Sequence, residues 1–182
     1  MAQKNIKNGV TTIRGEEEIS LTYRDVSSIP SLDITGPIYI FDHSFLMSNG
    51  GFKNYENETV IIPMIIINSL SQTYTKHRSS NNKKNAENSG ELLRKIRENN
   101  NYIVTRMTSQ VAASILTGNE PVKMIYPKFY VVGVAIYLVQ HINKNKIILM
   151  TSSQDIAEYA LDQNYLNLCV KYVRPNRTGK SV

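Results

Sequence analysis

The chain holds a single cysteine, no tryptophan and only three histidines among its 182 residues. One cysteine, Cys169, excludes an internal disulfide framework, a cysteine-ligated zinc site and a CxxC redox pair, and it suits a reducing compartment. No apolar run approaches the roughly 20 residues that a membrane span needs. The opening residues, MAQKNIKNGVTT, lack the apolar core of a signal peptide. The expectation is therefore an intracellular, cytoplasmic protein with no membrane partner. His43, His77 and His141 have no metal-ligand spacing. Thr178, Gly179, Lys180 and Ser181 mimic the close of a phosphate loop, but Arg174 stands where its first glycine belongs.

What is present is enough apolar material for one core, 41% of residues, under a surface rich in lysine and asparagine. The formal charge is +6, which favours anionic partners without naming one. One domain at residues 34–174 is expected, with an N-terminal extension at 1–33 and a basic tail at 175–182. The extension shows no firm period beyond a short strand-like stretch at Ile19 to Tyr23.

The organising stretch is PIYIFDHSFLMSNGG, residues 37–51. Ile38 to Phe41 is a short apolar run that ends on Asp42, the pattern of a buried parallel strand delivering a carboxylate to the sheet edge where α/β folds place their ligands. Asp42 can equally serve as the N-cap of the short helix that follows. Strands are then predicted at Glu58 to Pro63, Tyr102 to Val104, Lys146 to Met150 and Leu166 to Val173. Helices are predicted at Met64 to Lys76, Ala86 to Asn99, Ser109 to Leu116 and Pro127 to Ile142. A last helix begins after Ser153, with Ile156, Ala157, Ala160 and Leu161 inward. Residues 76–85 read as an exposed basic loop. This alternation gives the fold class: α/β, a three-layer sandwich around a central parallel sheet.

The order of YIFDHSFLM, VIIPMIIINSL, NAENSGELLRKI and IILMTSSQDIAEYA resembles the PIN domain family of metal-dependent ribonucleases, most closely the PIN module of PhoH-type proteins. The likeness spans residues 37–173 and implies a site of three or four carboxylates holding Mg²⁺ or Mn²⁺, which activate water and stabilise the leaving oxygen. Here only Asp42 matches a family acid. The other acid positions fall on Asn68 or Ser69, on Lys128 or Phe129, and on Ser153 after Thr151 and Ser152. Asp155 lies two residues further on; Ser152 followed by Asp155 also reads as a capping box. If Lys128 pointed at Asp42, its charge would replace a metal, an interaction on the order of 4 kcal/mol at roughly 4 Å before desolvation.

The resemblance thus implies a catalytically degenerate PIN-like domain that binds RNA, another nucleic acid or a protein partner and needs no cofactor. The phosphate-contacting candidates are Lys76, His77, Arg78, Lys83, Lys84, Arg174 and Arg177, with Tyr74 and Tyr126 as base-stacking platforms. The alternative is an active ribonuclease that uses Mg²⁺ or Mn²⁺ at Asp42, with Asp155 and one of Glu87, Glu91 or Glu158. A third reading is a structural subunit of a larger assembly or a homo-oligomer.

Overall fold

A computed structural model describes residues 8–48, 53–76, 80–108, 111, 115 and 127–175. Seven strands form one sheet: β1 (Asn8–Arg14), β2 (Glu18–Asp25), β3 (Ile38–Phe41), β4 (Thr59–Pro63), β5 (Tyr102–Arg106), β6 (Ile147–Thr151) and β7 (Leu168–Tyr172). The described α-helices are α1 (His43–Met47), α2 (Met64–Thr75), α3 (Ser80–Glu98), α4 (Tyr130–His141) and α5 (Gln154–Asp162). The strand order is β1-β2-β5-β4-β3-β6-β7, parallel throughout except for the β1/β2 hairpin.

The near-continuous apolar runs of β3, β4 and β6 are explained by burial on both faces. Alternation sends Phe41, Val60, Ile62, Ile148 and Met150 to one side, where they meet Phe45 of α1, Ile67 and Leu70 of α2, and Leu93 and Ile96 of α3. Ile38, Ile40, Ile61, Ile147 and Leu149 face the other way, onto α4 and onto Ile156 and Ala160 of α5. The result is the expected three-layer α/β sandwich. α4 is buried over nearly its whole length, and Gly133 and Ala135 are among its buried residues. No helix among the described residues is long and apolar enough to cross a membrane.

Three expectations change. The segment expected as an N-terminal extension supplies β1 and β2, and β2 pairs with β5. Ile13, Ile19 and Leu21 enter one core and Val26 and Ile29 the other, so the hairpin is part of the sandwich. Helix α3 begins at Ser80, so Lys83 and Lys84 are helical rather than part of a loop. Leu161 is 62% exposed rather than inward, because the stripe on α5 that faces the sheet is carried by Ile156, Ala157 and Ala160. The helix expected at Ser109 to Leu116 lies largely outside the described residues.

Tyr74 locks the hairpin to the helices. Its hydroxyl accepts from the Glu17 N–H at 2.9 Å and donates to the Glu17 carbonyl at 3.1 Å. Its ring lies against Gly15 and Gly90, where a Cβ on Gly90 would sit 2.7 Å from the ring. Tyr74 is thus 2% exposed and is no platform for a nucleobase.

Candidate functional site

β3 is the strand from which the sheet grows in both directions: the chain moves to β4 and β5 on one side, and later to β6 and β7 on the other. Such a reversal opens a crevice at the carboxyl ends of the two strands that part there, β3 and β6. Asp42 follows β3, and Thr151, Ser152 and Ser153 lie at the end of β6. The family resemblance implied that these residues share a site, and in the structure Thr151 bonds directly to Asp42.

The carboxylate of Asp42 is 1% exposed. Its Oδ1 accepts from the Phe45 N–H at 2.8 Å and from the Ser44 hydroxyl at 3.0 Å. Its Oδ2 faces the same hydroxyl at 2.8 Å and accepts from the Thr151 hydroxyl at 2.8 Å. The two hydroxyls are themselves fed by backbone donors. Ser152 N–H donates to Ser44 Oγ at 2.9 Å, and Ser153 N–H donates to Thr151 Oγ1 at 3.0 Å. Two relays therefore run from the β6–α5 turn through hydroxyls to one carboxylate, each link polarising the next. The Phe45 contact makes Asp42 the N-cap of α1, so the capping role open to it in the sequence is realised.

Burial is the largest influence on Asp42 and raises its pKa above the ordinary carboxylate value; the bonds from Phe45, Ser44 and Thr151 and the nearby His43 oppose it. His43 is pushed the other way: desolvation lowers its pKa, against the pull of Asp42. Its Nε2 is buried and has no hydrogen-bond partner among the described residues.

Lys128 does not serve as a counter-charge to Asp42. Its Nζ sits 2.6 Å from Asp155 Oδ2, in a pair whose side chains are 48% and 66% exposed, and 5.0 Å from the centre of the Phe129 ring. Phe129 stacks on Tyr159. Asp155 occupies the first turn of α5, where it complements the helix dipole, but no capping box forms. The N-cap is Ser153, and the Ser152 hydroxyl turns instead to Ser48 Oγ at 3.3 Å. The bond from Lys128 holds the Asp155 carboxyl below its usual pKa.

Asn68 is exposed and lines a cavity of about 280 Å³ with Thr105, Arg106 and Tyr130; Asp42 does not line it. Ser69 is half-buried, and its carbonyl accepts from Thr73. Of the reserve acids, Glu91 pairs with Lys95 and Glu158 accepts from Gln154, both on helix surfaces, while Glu87 is exposed on α3. Lys76, Lys83, Lys84 and Arg174 are exposed. His77, Arg78, Tyr126 and Arg177 lie outside the described residues.

The described residues around Asp42 do not fit a pair of hard divalent ions. Such ions need several free oxygen ligands, yet both Asp42 oxygens are already engaged. No group of three histidine, cysteine or acidic side chains that could hold a metal occurs among the described residues. Sequence reasoning singled out Asp42 but missed Ser44 and Ser48. The one local signal was a serine two positions after a capping acid, a common helix-start arrangement. Comparison of the chain with models of known protein families and with curated proteins finds no match.

Proposed function

We propose that this chain is a PIN-like domain that binds single-stranded RNA as a polyanion and does not hydrolyse it. The observation that carries the reading is the state of Asp42. The one side chain that matches a family acid is sealed from water and hydrogen-bonded on both oxygens, so it serves as a structural clasp between β3 and β6. A carboxylate in that state can neither bind a hydrated cation nor accept a proton from an attacking water without breaking the clasp.

The binding half of the proposal rests on charge. The net charge is +6, and Lys76, Lys83, Lys84 and Arg174 are exposed. Lysine and arginine at these positions would neutralise phosphates without reading bases, so affinity would carry little sequence preference. The test is RNA affinity measured against salt. A log–log slope of several units is expected, each phosphate contact contributing about 0.7 on a single strand. A flat dependence would favour a structural subunit. Cleavage that requires Mg²⁺ or Mn²⁺ and disappears with Asp42→Asn would favour an active ribonuclease.

A further inference from the structure

β7 is the last described strand on one side of the sheet, and no described strand pairs with its outer edge. Val173 N–H donates to the Thr151 carbonyl at 2.8 Å, and Thr151 stands in register with Tyr172. Ladder groups alternate along a strand, so the N–H and C=O groups of Val170 and Tyr172 point away from β6. The Leu168 N–H is taken by the Tyr165 carbonyl. Among the described residues, none pairs with the outward groups of Val170 and Tyr172. Such an edge is a template for one more strand, and proteins usually blunt it.

Four of the five large hydrophobic residues exposed among the described residues lie near this edge. Leu166 is 97% exposed, Leu161 62%, Tyr172 45% and Val173 37%. All four lie on β7, on the turn before it, just beyond it or on the last turn of α5. The opposite edge, β1, exposes one large hydrophobic residue, Val10, among asparagine, threonine and arginine.

Charge decides the occupant. Lys146, Lys171 and Arg174 flank the edge, are exposed, and have no ion-pair partner among the described residues. A second copy of a +6 chain would bring Arg174 toward the Lys146 end of its partner, cation to cation. An acidic strand would instead bring carboxylates to the Lys171 face while its alternate residues covered the Tyr172 face. We infer that β7 is a docking edge for an extended acidic segment of a partner protein, which adds to the sheet as a strand with a carboxylate facing Lys171.

The probe is a short capped peptide alternating aspartate with valine, compared with one alternating lysine with valine. Binding is followed by fluorescence anisotropy and by amide hydrogen exchange. The acidic peptide should bind, protect the Val170 and Tyr172 amides, and weaken as salt rises; the lysine peptide should not bind. Val170→Pro removes an outward N–H, which an edge strand tolerates, and trims a half-buried side chain packed against the core; it should abolish binding with the circular dichroism spectrum unchanged. Lys171→Glu, a variant that leaves every ladder bond in place, should weaken the acidic peptide by roughly tenfold, the scale of one charge-assisted contact. Equal binding of both peptides, protection elsewhere, no binding at millimolar peptide, or a dimer of the chain that Val170→Pro dissociates would each overturn the inference.

Discussion

Thr151 donates its hydroxyl to Oδ2 of Asp42 over 2.8 Å, across a sequence separation of 109 residues. That bond ties the carboxyl end of β6 to the carboxyl end of β3, at the point where the strand order reverses. Because Thr151 also accepts from Ser153 N–H, removing its hydroxyl strips a donor from the carboxylate and an acceptor from the β6–α5 turn. Thr151→Val is expected to cost about 1–3 kcal/mol, the penalty for leaving buried polar groups unpaired, whereas Thr151→Ser keeps the hydroxyl and should cost less. Urea unfolding of the two variants checks the ordering.

Asp42→Ala and Asp42→Asn should separate in the same way. Alanine deletes the cap on α1 and orphans the Ser44 and Thr151 hydroxyls, for about 2–3 kcal/mol. Asparagine can still accept from Phe45 N–H and is itself a good cap, so its stability at neutral pH should equal or exceed that of the wild type. Chemical denaturation of both proteins decides it.

The pH dependence of the clasp has a definite sign. The Asp42 pKa is raised in the native state from an ordinary 3.8. Its contribution is therefore fully present below 3.8 and is lost as pH rises through the native value. The wild type should lose stability relative to Asp42→Asn as pH rises across that acid window, then run parallel to it. His43 acts oppositely: its native pKa lies below 6.5, so its stabilising contribution is present above 6.5 and is lost as pH falls through the native value. Melting temperatures of Asp42→Asn and His43→Gln against pH should show slopes of opposite sign relative to wild type.

Gly90 in α3 faces the ring of Tyr74. Alanine is the better helix former by about 1 kcal/mol, yet its methyl group would press on a ring held on the far side by Gly15. Gly90→Ala is expected to destabilise by about 1–3 kcal/mol despite its propensity. Combining it with Tyr74→Leu should recover part of the loss, a coupling that a double-mutant cycle measures.

The exposed Lys128–Asp155 pair should matter little. Asp155→Asn is expected to unfold at the same denaturant midpoint as the wild type. A clear loss would assign this pair a part in holding the β6–α5 turn.

How legible this was in the sequence varied with the range of the signal. β3, β4 and β6 were readable because strands buried on both faces become continuous apolar runs, and Asp42 stood out because it ends one. Of the β1/β2 hairpin, only Ile19 to Tyr23, inside β2, was readable. As a polar edge with one half-exposed face, GVTTIR has too short an alternation to rise above a tail. α3 was cut short because Ser80 to Asn85 carries no apolar residue, so its first turns have no period to detect. The links that join the two halves of the relays had no linear signature, since those partners lie 107 to 109 residues apart. Lys128 was assigned to Asp42 by position along the chain, and Asp155 took it instead.

The central claim is that Asp42 is a sealed clasp rather than a metal ligand, and Mn²⁺ titration followed by amide resonance broadening tests it most directly. The account predicts no saturable broadening of Ser44, Phe45, Thr151 and Ser152, and the same lack of response to Mn²⁺ from Asp42→Asn. Saturable broadening centred on those four amides in the wild type, and absent in Asp42→Asn, would contradict it.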